Sequence, residues 1–228
     1  MKPRHAVLLV GSPRGNKSAS LALGQRLLDG LAARGLQVET HSILSAAFTA
    51  AKADAMLHAA AAADLLVFSF PLYVDQLPAP VIPVLEALAE RRAASGSSTR
   101  PLLAAIVQCG FPETRQNQPA IDIMRRFADL NGFTWAGALA LGMGGAAGAA
   151  LPERPTGMLR HVVQALEQAA TELSQGQPIA AATTSLMGRA LMPRWLYTTV
   201  GNWQWKASMR KAANRRGRAV DMYARPYA

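Results

Sequence analysis

Val7-Leu8-Leu9-Val10-Gly11-Ser12-Pro13-Arg14-Gly15-Asn16-Lys17-Ser18-Ala19-Ser20-Leu21 is an apolar run that empties into a small, hydroxyl-rich loop and then into a helical pattern. His5 to Val10 has the length and β-branched content of a buried parallel strand, and Gly11 breaks it where the backbone must turn sharply. Leu21, Leu23, Leu27, Leu28 and Leu31 recur near the helical period, with Ser18 or Ser20 placed to cap the helix. The amides of that first turn have no intrahelical acceptor and point back into the loop. There the helix dipole favours an anion, and the serine hydroxyls and Arg14 add donors. The stretch reads as a phosphate cradle. Its spacing fits neither Gly-x-x-x-x-Gly-Lys-Ser/Thr nor Gly-x-Gly-x-x-Gly, which argues against a nucleoside triphosphatase and against a direct dinucleotide site. A plain strand-to-helix turn with a capping serine is the competing reading of the same residues.

Outward from this stretch, strand-like and helix-like runs alternate. A helix over about Leu21 to Arg34 ends at Gly35, and Gln37 to Ile43 reads as a second strand. A helix over Ala50 to Ala61 leads to Asp64-Leu65-Leu66-Val67-Phe68-Ser69-Phe70, the most strand-like segment in the chain. Pro80 to Ala94 reads as a helix, Ser95 to Ser98 as a turn, Leu102 to Gln108 as the fourth strand, Gln118 to Asn131 as a helix, and Phe133 to Leu141 as the fifth strand. Gly142 to Gly148 is too glycine-rich for a regular element and reads as a loop that either borders the acceptor site or is a slack connection, the second reading being favoured. Thr156 to Ser174 then follows the helical period. Five βα units imply a doubly wound parallel sheet with helices on both faces, whose ligand sits beyond the carboxyl ends of the strands where strand order reverses.

That places weight on the loops after strands one, three and four. The third-strand loop, Pro71-Leu72-Tyr73-Val74-Asp75-Gln76-Leu77-Pro78-Ala79-Pro80, holds an aromatic residue between prolines that stiffen the backbone. Tyr73 either offers a face to a planar ligand or packs on the core. The fourth-strand loop, Gln108-Cys109-Gly110-Phe111-Pro112-Glu113-Thr114, has a glycine that allows close backbone approach and polar groups able to bond a heterocycle edge.

Taken together, the Gly11-Ser12-Pro13-Arg14 loop with Ser18 and Ser20, and Pro71-Leu72-Tyr73 with Pro78-Ala79, resemble the NAD(P)H-dependent FMN reductase branch of the flavodoxin-like fold over about residues 5 to 175. The resemblance implies FMN with its phosphate at Ser12, Arg14, Ser18, Ala19 and Ser20. It leaves open which of the last three gives a hydroxyl and which only an amide. The isoalloxazine ring is implied between Pro71, Leu72, Tyr73 and Val74 on one side and Cys109, Gly110, Phe111 and Glu113 on the other. NAD(P)H is the implied electron donor, with a quinone, flavin, nitro compound or similar acceptor. Because the cofactor carries this chemistry, no catalytic side chain is assigned, and loop amides around Gly110 are candidates to steady charge on the reduced ring.

Composition bounds the rest. The chain has 228 residues and a net charge of +10, of which the first 176 residues supply only +2. Residues 177 to 228 hold nine Lys and Arg against the single Asp221, so the chain divides into a near-neutral body, 1 to 176, and a basic extension, 177 to 228. Three of the four tryptophans lie in that extension. Leu196, Val200, Trp203 and Ala207 fall on one helical stripe over about Trp195 to Arg216, with Gly217 as the stop. The favoured reading docks this stripe on the body or on a second subunit of a homodimer. An anionic membrane surface, the phosphates of NADPH and nucleic acid are the alternatives, nucleic acid being disfavoured because no reading module is present. Cys109 is the one cysteine, so no internal disulfide is available, and the scattered histidines give no metal-ligand spacing. Absence of a signal-peptide pattern or a long apolar run points to the cytoplasm. Rival functions are a flavodoxin-like electron carrier that binds no nicotinamide, and a flavin-free scaffold that uses its tail.

Overall fold

In a computed structural model, which describes residues 2–46, 49–96, 98–148, 151–152 and 154–216, the alternation becomes a five-stranded parallel sheet. Strands β1 (His5–Val10), β2 (Gln37–Ser42), β3 (Leu65–Pro71), β4 (Leu102–Gln108) and β5 (Thr134–Leu141) lie in the order β2-β1-β3-β4-β5. Between them run the helices α1 (Ala19–Ala32), α2 (Ile43–Ala46), α3 (Ala50–Ala62), α4 (Val81–Ser95) and α5 (Gln118–Leu130). After β5 come α6 (Gly144–Ala147), α7 (Arg160–Ser174), α8 (Ala181–Met187) and α9 (Arg194–Arg216). The chain winds outward from β1 to β2, crosses back over β1 to β3, and continues to β5. The reversal therefore falls between β1 and β3, and the loops leaving their carboxyl ends diverge to open a crevice.

Burial explains why these segments are strands. All seven residues of β3 are buried and so are the last five of β1, as expected of strands covered on both faces. The edge strand β2 carries no fully buried residue, and its hydrogen bonds to β1 hold it in register from His5 opposite Gln37 to Val10 opposite Ser42. On one face Val7, Leu9, Leu66, Phe68 and Phe70 pack with Met56 of α3, Val81 and Leu88 of α4, and Met124 of α5. The other face is covered by α1, against which α7 packs. Gly24 lets α1 lie close on the sheet there, because a Cβ at this position would sit 2.7 Å from a Leu8 methyl.

The chain divides into two compact units, Met1–Leu191 and Met192–Ala228. The first runs past the composition change at Gly176, since residues 177–191 are folded into the body. Ile179 N–H donates to Ala136 O at 2.7 Å, Thr183 and Met187 are buried, and α8 packs on α7 and β5. The body thus ends at Leu191 rather than at 176. The basic extension proper begins at Met192 and contains α9. The expected stop at Gly217 and the cations beyond it lie outside the described residues.

Candidate functional site

The loop after β1 is built as a donor cradle. Ser12 and Ser18 are both buried, the first accepting a bond from Arg14 N–H at 3.4 Å and the second capping α1 by accepting from Leu21 N–H at 3.0 Å. With Leu21 satisfied by the cap, the N–H groups of Ala19 and Ser20 have no acceptor within the helix. A single 3-10 turn, Gly15–Lys17, projects Arg14 and Lys17 beside them. A fourteen-residue helix thus ends on two cations and two hydroxyls, an arrangement suited to a dianion.

Across the switch point, Pro71, Leu72 and Tyr73 form a second wall, and Gln108, Cys109 and Gly110 a third. Leu72 N–H donates to Gln108 O at 2.8 Å, tying the two walls together. Tyr73 is 42% exposed and ends at a tight turn in which Tyr73 and Gln76 exchange backbone bonds. The central residues of that turn, Val74 and Asp75, have φ of +49° and +58°.

The slack connection expected at Gly142 to Gly148 is instead a fourth wall. Met143 N–H donates to Phe111 O and Gly144 N–H to Cys109 O, each at 2.8 Å, so this loop is bonded to the one after β4. Gly144 fits only because it has no side chain: a Cβ there would lie 1.9 Å from Gln108 Oε1. Gly144, Gly145 and Gly148 line the cleft, and a Cβ on Gly145 or on Gly110 would meet no protein atom within 4 Å. The cleft holds about 190 Å³ and is open to solvent on one side.

Of the residues singled out from sequence, the structure brings Ser12, Arg14, Ser18, Ala19, Pro71, Leu72, Tyr73, Cys109 and Gly110 to this cleft. Four fall outside its lining. Ser20 is wholly buried beneath the helix start; its hydroxyl has no partner among the described residues, and its carbonyl accepts from Ser69 Oγ at 2.7 Å. Val74 is carried outward by the turn and is 95% exposed, Phe111 is half-exposed, and Glu113 precedes the 3-10 turn Thr114–Asn117. Lys17, Gln108 and the three glycines of the fourth wall are the additions. A lysine within three residues of Arg14 was a readable signal, whereas Gln108 and the glycines enter through contacts between distant loops.

Cys109 lines the cleft but is 2% exposed, and its thiol faces Phe111 O at 3.7 Å. Burial pushes its pKa up, which opposes thiolate formation. Three of the four histidines are occupied elsewhere, His5 and His41 bonding the two oxygens of Glu39 and His161 bonding Arg189 O, while His58 is exposed on α3. Asp64 sits at the opposite end of the sheet, accepting from Arg4 and His5 N–H. Among the described residues no carboxylate or imidazole lines the cleft, and no cluster of His, Cys, Asp or Glu could hold a metal ion. No described helix is long and apolar enough to cross a membrane.

A family model for the flavodoxin-like fold matches residues 4–96, from β1 through α4, and so includes both the cradle and the tyrosine loop. No curated protein sequence matches the chain. Among solved structures, a flavodoxin of Streptococcus pneumonia TIGR4 is 18% identical with a TM-score of 0.51, covering 75% of this chain and 97% of its own. The Trp repressor binding protein of Bacillus subtilis is 13% identical with a TM-score of 0.53, over 72% of this chain and 96% of its own. An FMN-dependent NADH-azoreductase from Bacillus anthracis str. Ames Ancestor, solved in complex with FMN, is 13% identical with a TM-score of 0.52, over 75% and 99%. Strand order, family match and structural likeness agree that this chain has the flavodoxin-like fold.

Proposed function

We propose that the cleft binds FMN and that the chain is an NAD(P)H-dependent FMN oxidoreductase passing electrons to a quinone, flavin, nitro compound or similar acceptor, working as a homodimer. The observation that carries this reading is the start of α1, where Arg14, Lys17, Ser12, Ser18 and the first helical amides converge at the switch point of the sheet. A phosphate monoester matches that donor set in charge and size. The residues present also fit the rest of the cofactor, since the cradle opens on a slot between the Pro71–Tyr73 wall and the Cys109–Gly110 wall, with side-chain-free backbone at Gly110 and Gly145.

Bound FMN supplies the two-electron chemistry. What the chain contributes is position: the cradle fixes one end of the cofactor, the proline-stiffened wall presents Tyr73, and the bonded loops after β4 and β5 set the width of the slot. Hydride transfer needs alignment rather than a protein proton donor, so no catalytic side chain is assigned to the lining. The likeness to an FMN-dependent azoreductase supports this reading, and the likeness to flavodoxins supports the carrier alternative.

The test is an absorbance spectrum of the chain loaded with FMN, followed by anaerobic addition of NADPH and of NADH. Bleaching of the flavin bands supports the oxidoreductase. Bands that persist until a protein partner or dithionite is added favour the carrier, and failure to take up FMN overturns both.

A further inference from the structure

Helix α9 changes character along its length. From Trp195 to Trp205 it carries no charged residue, and those three turns hold Trp195, Leu196, Tyr197, Val200, Trp203 and Trp205. From Lys206 to Arg216 it holds five cations and no acid. Within the extension itself the indole rings are left open, Trp195, Trp203 and Trp205 being 68%, 70% and 68% exposed.

The two halves are also in phase. At 3.6 residues per turn, positions 195, 199, 202 and 206 form one stripe and positions 203 and 210 the adjacent one. Trp195 is therefore followed by Lys206 and Trp203 by Arg210 on the same side of the helix. A surface that complements this side must offer a layer able to take indole rings next to a layer of negative charge. The headgroup region of an anionic bilayer has that layering, because tryptophan settles at the polar–apolar boundary while lysine and arginine reach lipid phosphates. A nucleic-acid strand matches less well. Duplex base faces are stacked out of reach of indole rings, and the convex surface of one helix offers no groove of its own in which to track a single strand. A second copy of the same helix would oppose like charges if parallel, and if antiparallel would set each cationic half over an uncharged half that offers it no counter-charge.

We propose that α9 is a peripheral membrane helix that seats Trp195 and Trp203 in an anionic phospholipid surface, with Lys206 and Arg210 on the lipid phosphates. No described helix is long enough and apolar enough to span, so the attachment lies on the surface. This proposal is independent of what occupies the cleft.

The test is flotation of the full chain with vesicles of mixed phosphatidylglycerol and phosphatidylcholine, against vesicles of phosphatidylcholine alone. The chain is expected to float with the anionic vesicles, to be released by high salt, and to stay behind with the neutral ones. A double variant K206Q/R210Q should lower the partition coefficient by about twenty-five-fold, at roughly five-fold per cation. A second variant, W195A/W203A, should lose binding while the thermal unfolding of the body is unchanged. Equal binding to neutral vesicles, no binding to either, indifference to the K206Q/R210Q variant, or release by an equal phosphate concentration of single-stranded or duplex DNA would each overturn the proposal.

Discussion

Val74 provides a sharp test of how the tyrosine wall is held. It occupies the first central position of a two-residue turn with φ of +49°, followed by Asp75 at +58°, the signature of a mirror-image hairpin turn. Asn and Gly suit that position; a β-branched residue suffers most there, because its Cβ crowds the carbonyl and its branch removes rotamers. The left-handed conformation costs an L-residue about 1–2 kcal/mol. Val74 is 95% exposed, so almost no packing is lost when it is replaced. Val74→Asn should therefore stabilise the chain by about 1 kcal/mol, raising the thermal midpoint by roughly 2–4 °C for a body of this size. Val74→Gly gains the same relief but gives back about 0.4–1 kcal/mol through the freer unfolded chain, so it should rank between Asn and Val. Urea denaturation of the two variants and the parent checks the order. Loss of stability in Val74→Asn would show that the turn is not strained, and the account of this wall would fail with it.

Other outcomes follow from the same geometry. Gly24→Ala gains about 1 kcal/mol of helix propensity but drives a Cβ to within 2.7 and 2.8 Å of the Leu8 methyls, an overpacking of about 1–3 kcal/mol; a net loss of about 1 kcal/mol is expected in urea titrations, and a gain would contradict the packing of α1. Cys109 should react slowly with a chromogenic disulfide at neutral pH in the folded chain and fully in denaturant, because burial raises its pKa; rapid modification of the native chain would refute this. The Glu39 carboxyl is raised by burial but pulled lower by hydrogen bonds from His41 and His5, and ends below its usual 4.5. With the folded pKa below the unfolded one, its contribution is present above the unfolded value and disappears as pH falls through the folded one. Glu39→Gln should thus lose less stability than the parent between neutral and acid pH, and parallel acid limbs would contradict the pairing.

Much of the fold was readable because its signals are local. The fourth strand, Leu102–Gln108, is bounded by a turn and a glycine loop and appears with the expected limits, and the helices after β1, β3 and β4 follow apolar periods that tertiary packing had no reason to override. The cradle was readable for the same reason, since a strand, a glycine, a serine cap and a helix lie within one short stretch. What escaped depends on distant partners. The Gly142–Gly148 segment looks slack by composition, and becomes a wall only through bonds from Met143 and Gly144 to the loop after β4. Residues 177–191 look like tail by charge, and become body because Ile179 finds Ala136 and Met187 finds a buried site. Val74 and Phe111 sit in the expected loops, yet their side chains leave the cleft, because loop membership does not determine side-chain direction. Ser20 differs from Ser18 in facing under the helix, so Ser18 and Ala19 line the cleft and Ser20 does not.

Binding of FMN compared with riboflavin, which lacks the phosphate, addresses the anion cradle itself. Fluorescence titration of the flavin-free chain should give at least ten-fold tighter binding of FMN, since hydrogen bonds to a charged group contribute about 1.5–3 kcal/mol each. That preference should collapse in the double variant R14Q/K17Q while thermal unfolding stays unchanged. Equal affinity for the two flavins, or an FMN preference that survives the double variant, would contradict the assignment of the phosphate to the start of α1.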